Sequence, residues 1–559
     1  MGNTLIKIYS ALVLVVAIIL NFFGNLFGIG DIIPTQPKET EGTSISETYT
    51  EIGETTTKKD LTVEDSSSQI TQESSTLPST EPSSNGTTKP VATTTTKPNT
   101  TATTLPQTTK EFGQKVSSAT LLTANGFGGT NTDTFTGIAK ASNGSFVACG
   151  VSLSTDSDLL NVPDDSWSDE YGFIVKYGKS NLTPEWARAV GSAYDGVRIE
   201  DVAVLKDGSI VAVGYSSAQD YASASEFSKT IESFIVKYSA DGTLIWKKLF
   251  GGSGSDLFMC VEPLGNGFVV GGKTDSADGS FSGFDKPSAS KAVLISFDAD
   301  GNYSWKKYLC GNYASCVDGI ATDSDGNIFI TIVTGAYTGD FSLVDGMGKG
   351  YLDTAVIKYS SSGEKLWAKA VSGTGRESFA AITADGKGGC VVAGYYELTT
   401  NNVPDGTLAD LHNCGGTDAV AIRFNSDGSM RWIKAIGGIS NDVITDITAT
   451  ENGYAVVGYT SSNNRDFVSM GNKGATDSFL ALITPEGNLA QLQGRGGARK
   501  DMATCATFTS DGRLVVLGQT TSSDGDFSGV NSHLSDTLIS ILGDTFTGFA
   551  ARYKVTVSW

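Results

Sequence analysis

From residue 113 onward the apolar positions come in short runs of five to eight residues, and each run stops at a Gly-containing turn. Runs such as "FIVKY", "IVAVG" and "YAVVG" are rich in Val, Ile, Phe and Tyr, which is the signature of strands rather than helices. The breaks between them, "KDGS", "ADGT", "SDGN" and "ENGY", place Asp-Gly or Asn-Gly between two apolar runs, the strongest short-range hairpin signal. The pattern repeats about every sixty residues. Its clearest marker is a phrase seen in "LIWKKLFGGSGSD", "LWAKAVSGTGRE" and "RWIKAIGGISND", with tryptophans at Trp186, Trp246, Trp305, Trp367 and Trp432.

Each unit reads as four antiparallel strands: one after the Gly-Gly phrase, one across a tight turn, one across a long polar loop, and the Trp strand. The glycine of the phrase recurs at Gly129, Gly191, Gly252, Gly311, Gly373, Gly438 and Gly497. Seven such units predict an all-β fold, a seven-bladed β-propeller of four-stranded blades over 113–559. The repeat begins out of phase, with "SATLLTANGFGG" at the place of a Trp strand. The N-terminal strand is therefore expected to complete the last blade after "TLISIL" and close the ring, which removes exposed sheet edges. The tail "DTFTGFAARYKVTVSW" is surplus to that count and is expected to add or replace an outer strand.

The phrases "IVKYSADGTLIWKKLFGGSGSD" and "GYAVVGYT" resemble the bacterial exported, cell-surface β-propeller repeat proteins with the SBBP-type repeat. The resemblance covers about residues 116–542. It implies the propeller fold and an exported setting, and it carries no common set of catalytic residues.

The first 112 residues differ in kind. Residues 8–30 are uncharged, include "ALVLVVAIIL", and lie between Lys7 and Asp31. Residues 1–33 thus read as a signal-anchor whose positive side stays in the cytoplasm, or as a cleaved signal peptide. Residues 34–112 hold seven of the thirteen prolines, long Thr/Ser runs, and Tyr49 and Phe112 as their only aromatics. They read as a disordered stalk that buries too little apolar surface to offset its ordering entropy.

A net charge of −21 argues against nucleic acid as a partner, and leaves the membrane as a partner only through the N-terminal segment. With only two histidines, His412 and His533, neither a histidine metal centre nor a Ser-His-Asp site is expected. Of the seven cysteines, Cys149, Cys260, Cys390 and Cys505 sit in apolar runs and read as buried thiols. Cys310 and Cys316 form a local pair that could bridge.

Candidate chemistry rests on oxygen ligands. The acids after the Gly-Gly phrase are Asp133, Asp195, Asp256, Glu377, Asp442 and Asp501, with Ser315 in one unit. Near the channel mouth they are expected either to cap local backbone N–H groups or to form an acidic ring for a cation or polyhydroxyl ligand. The long loops pair an acid-aromatic phrase, as at Asp340, Asp466 and Asp526, with a second acid at Asp353, Asp477 and Asp536. Such pairs are candidate Ca²⁺ ligands, although two carboxylates per loop fall short of the six to eight oxygens calcium takes unless carbonyls and water complete the shell. Trp167, amid Asp164, Asp165, Asp169 and Glu170, is a candidate sugar-stacking residue. No cofactor is expected, with Ca²⁺ as the open possibility. A cell-surface ligand-binding or adhesion module for an extracellular glycan or protein is the expected function. The alternatives are an extracellular glycan-active enzyme and a purely structural scaffold.

Overall fold

The computed structural model describes residues 115–558 apart from the segments 159–169, 192–195, 218–229, 285–288, 398–405, 409–410, 412–414 and 529–546 and positions 155, 157, 180–181 and 451. The expected membrane segment and stalk lie outside the described residues. Among those described, no helix is long and apolar enough to cross a membrane.

The described strands pair into seven four-stranded antiparallel sheets. Six are blades built from four consecutive strands, over 133–190, 197–250, 256–309, 315–371, 376–436 and 442–495, numbered here as blades 1 to 6. The remaining sheet is a composite. Its inner strands are Asp501–Phe508 and Arg513–Thr520, its third is Thr547–Ser558, and its outermost is Lys115–Phe127. The inner strands of the six blades pack side by side in chain order. Asp501–Phe508 packs against blade 6 on one side and blade 1 on the other, which closes the ring.

This corrects the expectation of seven like blades behind a membrane segment. Six blades are repeat units, and the closing sheet is not. Its third position, expected for "TLISIL" at 537–542, belongs to the tail, which pairs with both neighbours from Arg513↔Lys554 and Lys115↔Ser558 onward. The physical reason is pairing length. The tail strand is 12 residues long and matches the 13-residue N-terminal strand over most of its length, whereas "TLISIL" offers half as many.

The core lies between blades rather than at one centre. Between blades 1 and 2, for example, Val147, Cys149 and Ile174 pack on Val197, Ile199, Ile210, Ala212 and Phe234. The four expected buried thiols are buried there, and Cys316 is unbridged. Every inner strand of the ring carries one register shift at the same level, as between Ile199 and Asp201 or Ile444 and Asp446. A bulge of this kind increases local twist and re-aims a side chain.

The repeated tryptophans are gaskets between blades. Each indole lies against the positive-φ glycine of the next blade's hairpin turn: Trp186 on Gly242, Trp246 on Gly301, Trp432 on Gly487. A Cβ on Gly242 would come within 2.8 Å of the Trp186 ring, so the turn needs glycine for space as well as for its φ of 82°. The Nε1–H groups of Trp186, Trp305, Trp367 and Trp432 donate to carbonyls of those turns at 3.0–3.3 Å. Trp246 Nε1 has no partner, and the equivalent carbonyl, Ala299 O, accepts Lys237 Nζ at 2.8 Å. These rings are half-buried. Trp432→Ala is therefore expected to cost about 2–4 kcal/mol, slightly below the usual range for a fully buried aromatic. Chemical denaturation would show it, and a shift under ~0.5 kcal/mol would contradict the gasket role.

Candidate functional site

The two ends of the ring differ. One carries the Asp-Gly hairpin turns. The other carries the Gly-Gly connections between blades and the long loops between second and third strands, and most of the sequence-derived candidates fall there.

At this loop end the Gly-Gly phrase and the loop form one hydrogen-bonded unit. In "GGSG" before blade 3, four successive N–H groups are taken in turn. Gly251 N donates to Ser280 Oγ (3.3 Å), Gly252 N to Asp256 Oδ2 (2.9 Å), Ser253 N to Asp278 Oδ1 (2.7 Å) and Gly254 N to Ser276 Oγ (2.9 Å). Three of these acceptors, Ser276, Asp278 and Ser280, lie on alternate residues of "TDSADGS", and the fourth is Asp256. The same comb recurs with Ser154, Asp156 and Asp158, with Ser462, Asn464 and Asp466, and with Ser522, Asp524 and Asp526. The second glycine is dictated by this close approach rather than by φ. A Cβ on Gly252 would sit 2.4 Å from Asp278 Oδ1.

The acids of the phrase are consumed inside this comb. Asp256 is fully buried, and both of its carboxylate oxygens accept: Oδ2 from Gly252 N and from Ser276 Oγ at 2.8 Å, Oδ1 from Thr274 Oγ1. Asp133, Asp442 and Asp501 are bonded in the same way. Blade 2 departs. There Val197 stands opposite Ser216, where Asp133 stands opposite Ser152 in blade 1. Asp195 lies two residues upstream, outside the described residues.

The acid-aromatic phrase also belongs to the comb. Asp340, Asp466 and Asp526 each accept the N–H of the first residue of a connection, at 2.9–3.1 Å, while Phe341, Phe467 and Phe527 are buried beneath. Asp353 accepts from Gly348 N and Lys349 N, and Asp477 accepts from Lys473 N. The turns "DADGN" and "DSDGN" are closed by Asp298 and Asp323 accepting from their own turn N–H groups. Trp167 and Asp536 lie outside the described residues. Among those described, no three His, Cys, Asp or Glu side chains are grouped to hold a metal ion.

Glu377 stands apart. Its blade has Tyr396 where the others have Thr or Ser, so no hydroxyl reaches it. It is fully buried, with the Gly373 and Gly375 backbone and the Asp353 carboxyl as its polar neighbours. Burial, and then the Asp353 charge, push Glu377 up to about 8. Asp353 is raised as well. Two buried carboxyls in contact share a proton more readily than they ionise together. In blade 3, the residue beside the Ser315 position is Lys291, so where the acid of the phrase is missing its neighbour is not an acid either.

The channel wall holds carboxylates that the periodic reading passes over. Asp201 Oδ2 accepts Val261 N of the next blade at 2.9 Å, and Asp446 Oδ2 accepts Ala506 N of the closing sheet at 2.7 Å. Both follow the bulge of an inner strand. Thr136 and Thr445 make the equivalent tie by donating to Ile199 O and Ala503 O. Their sequence signal is a polar residue inside an otherwise apolar inner strand, as in "IEDVAV" and "ITDITA". Desolvation raises Asp201, Asp318 and Asp446 to about 7 and Glu262 to about 8.

These shifts share one sign. Asp133, Asp256 and Asp442, at about 6, join the channel acids and Glu377 in binding protons more tightly when folded. The folded state then holds more protons than the unfolded chain between about pH 4 and pH 8, so stability falls as pH rises through that window. Several hairpin-turn acids, such as Asp207 and Asp298, are shifted downward, but they act only below about pH 4. The melting temperature of the full chain is expected to be several degrees higher at pH 5 than at pH 8. Calorimetry in the two buffers measures it, and a higher value at pH 8 would refute the assignment.

No family model matches the chain. Two curated proteins align with part of it. "Regulatory protein FlaEY" of Caulobacter vibrioides is 25% identical over 192 residues, 34% of this chain and 20% of that protein. A WD repeat-containing protein of Acanthamoeba polyphaga mimivirus is 25% identical over 179 residues, 29% of this chain and 12% of that protein. The chain thus spans a fifth or less of the length of these relatives. Among solved structures, the Dos1 propeller covers 79% of this chain and 95% of its own length at 10% identity and TM-score 0.38. YCF48 bound to D1 peptide covers 78% and 99%, also at 10% and 0.38. The sheet order itself makes the chain a β-propeller of repeated four-stranded blades.

Proposed function

We propose that the chain is a ligand-binding or adhesion module displayed at the cell surface. In this reading the N-terminal apolar segment holds it, the Thr/Ser/Pro-rich stalk lifts it, and the loop end of the ring meets an extracellular glycan or protein. One observation carries the reading. Large apolar side chains stand exposed on the loop end, at Tyr313, Tyr337, Leu343, Tyr351, Ile439 and Val468, on turns that the comb fixes to the scaffold. Exposed apolar groups on a rigid surface mark interaction sites, and a fixed backbone lowers the ordering cost of binding. The membrane and stalk part rests on the charge asymmetry and composition of residues 1–112.

The test uses cells that make the full chain. Protease added outside is expected to release a propeller-sized fragment, and cells are expected to lose adhesion to an immobilised array of glycans and matrix proteins after that treatment. Protection of the whole chain in intact cells, or adhesion unaffected by its removal, would overturn the proposal.

A further inference from the structure

The exposed apolar groups are not spread evenly over the loop end. Tyr313, Tyr337, Leu343 and Tyr351, at 56, 53, 77 and 73% exposed, all belong to blade 4 and the connection that enters it. This is also one of the blades in which the comb changes. Ser315 replaces the aspartate and Ala336 replaces the serine. Asn312 Oδ1 now accepts from Tyr337 N, Thr338 N and Thr338 Oγ1 at 3.1–3.3 Å. The altered comb ties Tyr337 to the residue before Tyr313, and the two rings lie 6.5 Å apart at 50°.

Tyr351 is held on the other side. Its N–H donates to Gly375 O at 2.9 Å, and the next turn of chain is fixed by Glu377 N donating to Leu352 O at 3.0 Å. A Cβ at Gly335 would lie 3.0 Å from Tyr351 O and 3.8 Å from the Tyr313 ring, and one at Gly348 would lie 2.5 Å from Tyr337 Cβ. Glycines therefore let three tyrosine-bearing segments converge. Asp353, which accepts from Gly348 N, anchors the loop beneath them.

We infer that this tyrosine platform is a glycan-binding subsite, which rests on the surface-binding reading above and names its ligand class. Aromatic rings carry a negative face, and the C–H faces of a pyranose ring present weakly positive hydrogens to it. Size decides between a glycan and a protein partner. Three tyrosines exposed to this degree present roughly 300–450 Å², well under the ~800 Å² per partner of a standard protein interface. That area suits the face of two or three sugar units. Arg376, exposed and bridged to Leu352 beside Tyr351, borders it with a guanidinium for hydroxyl contacts.

The experiment takes the full-length protein and measures binding to immobilised oligosaccharides, with cellohexaose and chitohexaose as soluble probes for calorimetry. At least one probe is expected to bind. Tyr337→Ala and Tyr351→Ala are each expected to weaken it tenfold or more with an unchanged melting temperature, while Tyr337→Phe keeps it. Absence of glycan binding, or binding unchanged in the Tyr313/Tyr337/Tyr351 triple alanine variant, would overturn the platform. If that triple variant still supports cell adhesion, the surface-binding reading stands and only the platform falls.

Discussion

Removing residues 547–559 is expected to destabilise the closing sheet strongly. Among the described residues, Lys115–Phe127 pairs with the closing sheet through the strand Thr547–Ser558, so the loss of that strand removes two strands' pairing at once and leaves Lys115–Phe127 its contacts with blade 6. It also bares the outer edge of Arg513–Thr520 beside blade 1, and a long unpaired edge invites pairing with another chain. The expected result is a fall in melting temperature of roughly 10 °C or more, given the few degrees that each kcal/mol moves a protein of this size, together with aggregation. Deleting 115–127 alone removes only the outermost strand and should cost less. Calorimetry and light scattering on the two truncations test the order. A tail deletion milder than the N-terminal one would show that the tail is not the third strand.

Asp256→Asn is expected to cost about 2–3 kcal/mol, despite the near-identical shape. An ordinary cap loses little when Asn replaces Asp, because one oxygen suffices. Here both oxygens accept, one from Thr274 Oγ1 and the other from Gly252 N and Ser276 Oγ. Asn offers one oxygen and an NH₂ that must face a donor, leaving buried groups unpaired. Thr274→Val, which removes the donor to Oδ1 and the acceptor of Ser276 N, should cost about 1–3 kcal/mol, and Asp300→Asn, on an exposed hairpin turn, should leave the midpoint unchanged. Denaturant titration of the three variants checks this. A neutral Asp256→Asn would show that the comb is not closed by its carboxylate.

Much of the fold was legible in the chain. Period-two apolar runs, Asp-Gly turns and the sixty-residue repeat depend on neighbours in sequence, so they specify the strands, the hairpins and six of the sheets. The tryptophans recur once per unit because each ring meets a recurring partner, the hairpin turn of the next blade. The closing sheet did not follow from periodicity. "TLISIL" and the tail are both adequate strands, and only the long-range pairing with Lys115–Phe127 chooses between them.

The loop end shows the same division. Asp256, Asp442 and Asp501 stand out in sequence by position, yet whether a carboxylate faces a channel or a row of N–H groups depends on the loop that folds back twenty residues later. That loop was read as acid-aromatic pairs, although its alternating "TDSADGS" pattern is what a strand-like comb requires. Tyr313, Tyr337 and Tyr351 are separated by up to 38 positions and carry no shared motif. Strand, turn and repeat are local properties, and neighbours along the chain specify them. Which side chains meet is settled by the closed ring, because burial and hydrogen bonding across blades are set by the whole and not by any one unit of it.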